Sequence, residues 1–279
     1  MKLNLPQSDG HKGQNGKVLI VGGSKLFHAA SLWSAQTAAH LVDMVFYASV
    51  KNNNKSVQEN KKKFFDGIVI ERDQILTYAQ EADVILIGPG LERGQRQPEK
   101  LVEILQTKKD LTFSEWENNT YLITNFLLAK FPQKKFVLDA GALQMLDLNF
   151  LPANCILTPH QKEALQLEEM ADTADKKTKL QAVTILRKNI VDQVWKNNKL
   201  IEEIKGGNAG LTKGGSGDAL AGLIAGLFAY NNDITAAVWG SRVLKKTADE
   251  LYHTVGPFFT ITELVAKIPA VLWTQVQAQ

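Results

Sequence analysis

Residues 211–230 read LTKGGSGDALAGLIAGLFAY, and the fold is decided by how this stretch is understood. Gly214, Gly215 and Gly217 crowd the approach to Asp218. From Ala219 onward, Leu220, Leu223, Ile224, Leu227 and Phe228 recur at helical spacing with small residues between them. A glycine-rich turn thus opens directly into a tightly packed helix. Backbone N–H groups and the positive end of the helix dipole converge on one spot there, which suits a phosphate. Asp218 sits at that spot. A carboxylate would repel an anion that is merely held, but it suits a proton transfer from a hydroxyl that attacks phosphate. Simple helix capping is the competing reading of Asp218, and the turn alone leaves both open.

Outward from this stretch, short apolar runs end in glycine or a polar residue. Residues 17–21 (KVLIV) run into Gly22-Gly23-Ser24 and a helix over 29–42. Strands follow over 44–50 and 67–70, beyond a polar stretch at 51–66, and a helix over 74–81 leads to a strand over 83–87. That strand ends in Gly88-Pro89-Gly90, so backbone lines its carboxyl end, where open α/β sheets bind ligands. Helices are predicted over 99–106 and 113–130. Strand 135–139 ends at Asp139 and strand 155–158 at Pro159-His160, with a helix from about 162 behind it. Helical spacing covers 175–188. A hairpin pairs 190–195 with 200–204 through Lys196-Asn197-Asn198-Lys199. Helices over 235–253 and 262–267 close the chain. The pattern predicts one α/β domain over 1–279, a mostly parallel central sheet with helices on both faces.

The 279 residues are 44% hydrophobic, enough for a large core, and the net charge of +3 is small and dispersed. The one dense basic run, 61–63 with Lys51 and Lys55 before it, lacks the aromatic or arginine-rich context of a nucleic-acid patch and reads as a solvated face. A single cysteine, Cys155, excludes an intramolecular disulfide and a cysteine-based metal cluster, and its apolar context predicts a buried thiol. The first residues carry no apolar leader, and no apolar run approaches the roughly 18 residues of a membrane span. The expectation is a cytoplasmic protein without membrane or nucleic-acid partners.

The order GGS, GPG, DAxAL, TPHxxEAxxL and GGSGDxLAGxIA, at 11–24, 83–90, 139–143, 158–167 and 214–225, resembles the ATP/ADP-dependent NAD(P)H-hydrate dehydratase family, which has a ribokinase-like fold. The last motif is the most specific. The resemblance implies repair of hydrated NADH or NADPH: the ring hydroxyl is phosphorylated from ATP or ADP, and phosphate then leaves to restore the ring. It makes Asp218 the catalytic base. It gives Gly214, Gly215, Ser216, Gly217 and Lys213 to the anion hole and donor phosphates, and Gly23, Gly90, Asp139, His160 and Asp218 to the substrate. Lys188, Asn208 and Gly217 fall to the nucleotide. Mg2+ is expected on the nucleotide's phosphates, with no metal ligand from the protein. The homo-oligomeric habit of the family is a further implication. The epimerase domain sometimes fused ahead of this one is not seen in the chain, which implies a separate epimerase or spontaneous epimerisation.

Each assignment has a plainer rival. His160 and Asp139 could cap the helices behind them, the glycines could serve tight turns alone, and Lys25 is by default a solvated lysine rather than a phosphate screen. The chain also departs from the family pattern. Lys162 stands before Glu163 where glycine is usual, Gly141 replaces the second acid of DADAL, and Leu186-Arg187-Lys188-Asn189 replaces a Leu-Lys-Gly strand end. These leave ATP against ADP open. Another ribokinase-like kinase of a vitamin precursor or sugar, or a nucleotide-binding sensor without turnover, are the alternatives; GPG with TPHxxEA and the intact acid favour the dehydratase.

Overall fold

A computed structural model describes residues 1–59 and 66–278; the basic run at 61–63 lies outside the described residues. Seven parallel strands carry the architecture: β1 Lys17–Val21, β2 Met44–Ala48, β3 Ile68–Ile70, β4 Val84–Ile87, β5 Lys135–Leu138, β6 Cys155–Leu157 and β7 Thr184–Arg187. Two antiparallel strands, β8 Asp192–Lys196 and β9 Lys199–Ile204, extend the sheet, whose order is β3-β2-β1-β4-β5-β6-β7-β8-β9. Helices α1 His28–Ala39, α2 Lys51–Glu59, α3 Ile75–Glu81, α4 Pro98–Thr107, α5 Phe113–Asn118, α6 Thr120–Lys130, α7 Ala140–Met145, α8 Gln161–Met170, α9 Ala174–Ala182, α10 Ser216–Tyr230, α11 Asp233–Val255 and α12 Ile261–Gln277 cover its two faces.

The period-2 geometry of a strand divides each apolar run between two cores. Val18 and Ile20 of β1, with Val84 and Leu86 of β4, pack into a layer shared with α1, α10, α11 and α12. Leu19, Val21, Ile85 and Ile87 pack into the opposite layer, with α6 and its neighbours. Both faces are covered, as continuous apolar strands require. Cys155 belongs to the second layer, and burial pushes its thiol well above its ordinary range. The strand order reverses where β1 lies between β2 and β4, and a crevice opens there beyond the carboxyl ends.

Several elements differ from expectation for identifiable reasons. The helix expected over 175–188 ends at Ala182, and Thr184–Arg187 is the last parallel strand, hydrogen-bonded in register with Ile156 and Leu157. Val183, Thr184 and Ile185 are β-branched, and pairing beside β6 overrides the helical spacing. Residues 113–130 form two helices, because Asn119 caps the second by accepting from the amide of Leu122. The last helix continues past Pro269 to Gln277, since Leu264, Val265, Ile268 and Val271 bury one face of it. The polar stretch after β2 begins as a helix, α2. The hairpin turn is as expected: Asn197 and Asn198 both have positive φ (51° and 57°), the conformation of a tight two-residue connection.

Candidate active site

The glycine-rich turn forms the N-terminus of α10. Gly215 has φ 106°, open to glycine at little cost, and the first i to i−4 hydrogen bond runs from Ala219 N to Gly215 O. The amides of Ser216, Gly217 and Asp218 therefore precede the intrahelical ladder. Two cavities, each of about 750 Å³, meet at this turn. The first lies over the β1–β4–β5 crevice and is lined by Asp218, Gly214, Gly215, Gly90, Trp33 and Gln144, among others. The second lies toward β7 and the antiparallel strands, and its lining includes Ser216, Gly217, Lys188, Asn208, His160 and Lys245. One turn of helix thus separates a carboxylate facing one cavity from amides facing the other.

The electrostatics sharpen this division. Burial, then the nearby carboxylate of Asp139, push Asp218 up to about 7, against the pull of Lys188. Asp139 is almost fully buried. It accepts 2.7 Å from Lys188 Nζ and 2.8 Å from Thr158 Oγ1. Burial works against the Lys188 charge, yet the Asp139 carboxylate holds its pKa above the ordinary lysine value. A Cβ placed on Gly217 would stand 3.4 Å from Lys188 Nζ, so an ammonium is fixed beside the positive end of α10. Two like-signed features converge there, an arrangement that an anion between them would stabilise.

Lys188 comes from the end of β7, which Lys188 N ties to Pro159 O at 2.8 Å. Asp139 comes from the end of β5, where Gly88 makes a close approach: an added Cβ there would lie 1.8 Å from Asp139 O. Ala140 next to it has φ 44°, a left-handed conformation that is uncommon for a residue with a side chain.

Other predicted residues are placed differently from expectation. Lys213 does not face either cavity: its Nζ donates to the carbonyls of Pro257 and Phe259 and sits over the Phe259 ring. The local sequence puts Lys213 beside the turn, but those carbonyls turn it away. Lys188 is the cation at the turn. The Ser216 hydroxyl donates to Leu211 O (2.7 Å) and Lys213 O (3.1 Å) and its amide to Lys213 O (3.4 Å), so the residue holds the turn's shape. His160 caps α8, its Nδ1 accepting from the amides of Lys162 and Glu163, and its half-exposed ring lines the second cavity rather than the first. Asp139 makes no side-chain cap on α7.

Gly90 does line the first cavity, where an added Cβ would meet Phe27 O at 2.7 Å. Gly23 lines a neighbouring cavity of about 400 Å³ together with Lys25. Its carbonyl is held by the buried Arg72 at 2.8 Å, and its amide by Pro89 O at 2.7 Å. Asn208 reaches the second cavity, bonded to Gly210 N (2.9 Å) and Asp249 (3.2 Å). Sequence reading left out Trp33, Gln144 and Lys245, which carry no motif and enter the site only through tertiary packing.

Residues 18–270 match the family model described as NAD(P)H-hydrate dehydratase. The chain belongs to the NAD(P)H-hydrate dehydratase family. Among relatives of this family member, a bifunctional NAD(P)H-hydrate repair enzyme of Methanocaldococcus jannaschii is 34% identical over 97% of the chain. The chain spans 50% of that relative's length. An ADP-dependent (S)-NAD(P)H-hydrate dehydratase of Cenarchaeum symbiosum is 27% identical, over 95% of the chain and 91% of its own length. Of solved structures, a ribokinase-like superfamily protein of Enterococcus faecalis superposes with a TM-score of 0.75 at 23% identity, covering 99% of this chain and 93% of that one. The fold of this dehydratase-family chain is therefore ribokinase-like. Among the described residues no helix is long and apolar enough to cross a membrane.

Proposed function

We propose that this chain dehydrates hydrated NADH or NADPH in a reaction driven by ATP or ADP, with the damaged dinucleotide in the first cavity and the phosphoryl donor in the second. The observation that supports this most directly is the division of one helix turn: Asp218 faces one cavity while Ser216, Gly217 and Lys188 face the other. In this reading the ring hydroxyl lies beside Asp218. The ionised carboxylate takes its proton as the hydroxyl oxygen attacks the terminal phosphorus, and the bond from phosphorus to the donor nucleotide breaks. The α10 amides and the Lys188 ammonium stabilise charge on the transferring group. Loss of phosphate and of a proton from the adjacent ring carbon then restores the double bond.

Asn208 and His160 border the donor, Gly90 the substrate. Asp139 acts through Lys188, holding it at the turn. A magnesium ion would screen the phosphates of the bound nucleotide. The ion would be carried largely by the nucleotide itself. The whole chain works as one unit in this reading.

The test follows the near-ultraviolet absorbance of the reduced nicotinamide ring as NADH hydrate, magnesium and either ATP or ADP are mixed with the protein. A nucleotide-dependent rise is expected and names the donor. No rise with either donor, with nucleotide binding intact by calorimetry, would move the reading to another hydroxyl-bearing substrate. Asp218→Asn is expected to bind nucleotide normally and to lose turnover by several orders of magnitude. A near wild-type rate in that variant would reduce Asp218 to a helix cap.

A further inference from the structure

Trp33 projects from α1 and touches both the glycine turn and the first cavity. A Cβ on Gly215 would lie 2.4 Å from its Cζ3 and 2.6 Å from its Cε3, so the indole edge rests directly on the turn. The same side chain lines the cavity beside Asp218. Two other tryptophans, Trp116 and Trp239, are 1% and 2% exposed and fill core; Trp33 is only partly buried and is among the residues lining the cavity. Among the described residues its indole N–H has no acceptor, whereas Trp195 and Trp239 donate to Gln193 and to Met1 O. An indole beside the Asp218 carboxylate offers a flat apolar surface on which a heterocyclic ring can lie.

We propose that Trp33 is the specificity-determining residue of the substrate cavity: its indole is the surface on which the substrate's nicotinamide ring lies, turning the ring hydroxyl toward Asp218. This rests on the dehydratase reading and deepens it by naming the surface that seats the nicotinamide ring. The indole edge also lies against Gly215, so a ring on its face lies next to the anion-holding turn. A ring stacked on Trp33 is thereby set in register with the turn that holds the transferring phosphoryl group.

The test compares Trp33→Ala and Trp33→Phe with wild type in the full chain, with two readouts. Steady-state kinetics give KM for NADH hydrate and for the donor nucleotide, and equilibrium dialysis measures binding of NADH, the product, without turnover. Trp33→Ala is expected to raise the hydrate KM and weaken NADH binding by about tenfold to a hundredfold, the span of ring stacking. The nucleotide KM should stay within about twofold, and Trp33→Phe, which keeps a ring, should recover most of the loss. An unchanged hydrate KM in Trp33→Ala would overturn the proposal. So would a parallel rise in both KM values, which marks a collapsed turn, or a phenylalanine variant no better than alanine. If wild type dehydrates nothing, the functional reading fails by itself. NADH binding still decides the role of Trp33, since dependence on the ring supports it and independence sinks it.

Discussion

Asp218 gains its ordinary carboxylate behaviour only when something offsets its burial and the negative charge of Asp139; Lys188 offsets part, and the pKa settles at about 7. A base acts in its ionised form, so kcat/KM for the free enzyme should rise as pH climbs through about 7 and level off above it. Below that limb it should fall about tenfold per pH unit. Lys188→Met removes the group that favours the ionised form. Its limb is therefore expected at higher pH, together with a nucleotide KM raised about tenfold or more, and a pH–rate series on both proteins checks the direction. A limb that stayed in place would mean that Lys188 does not reach Asp218 electrostatically. At this scale the acid and its glycines were legible because the motif is local, a loop and a helix start in consecutive residues. The cation was not. Lys213 is the nearer lysine in sequence, but Pro257 and Phe259 lie far along the chain and their carbonyls decide where its ammonium goes.

At the scale of elements, α1 and α10 cross so closely that backbone meets backbone. A Cβ on Gly222 would stand 2.3 Å from Ser34 O and 2.7 Å from Ser34 Cα, and neither can swing aside as a flexible side chain would. Ser34 Oγ also donates to Asp218 O at 2.7 Å, so this crossing fixes the first turn of α10. Gly222→Ala is expected to cost about 1–3 kcal/mol through overpacking, lowering the melting temperature by several degrees, and to reduce kcat as the helices separate. Gly214→Ala is the control: nothing lies within 4 Å of its added Cβ, so thermal melting should hardly move. Equal melting losses for the two would refute the close crossing as the cause. The small residues that permit this packing were visible as a pattern, and so were the strands, since an apolar run ending in glycine is a local signal. β7 was less visible because its four residues become a strand only by pairing beside β6. The last helix was expected only to 267; beyond Pro269, Val271 is buried and the partly buried Leu272 and Val276 pack against the core, which carries it on.

For the whole molecule, the sheet order sets where the two cavities can meet. The reversal at β1 opens the first cavity, and the antiparallel return of β8 and β9 brings Gly206 and Gly207 opposite the end of β7 to close the second. That second wall is joined through one buried side chain. Lys245 of α11 donates to Asn189 O, Ile190 O and Gly206 O at 3.2, 2.8 and 3.3 Å, spanning both loops. Its charge faces Asp192 at 3.5 Å, and both side chains are almost fully buried. Asp192 in turn accepts from Asn189 N and Ser241 Oγ. Lys245→Met keeps the aliphatic length but frees three carbonyls and leaves the largely buried Asp192 carboxylate without its counter-charge. Losing one partner of a buried pair costs about 3–5 kcal/mol, so urea unfolding should show a loss of that order. Adding Asp192→Asn removes the stranded charge and should recover part of it. Because the two loops lose their common anchor in either variant, the nucleotide KM should stay raised in both while the KM for the hydrate changes little. Recovery of stability without recovery of nucleotide affinity would separate the two roles of Lys245, as a buried counter-charge and as the tie between loops. Recovery of both would leave only the first.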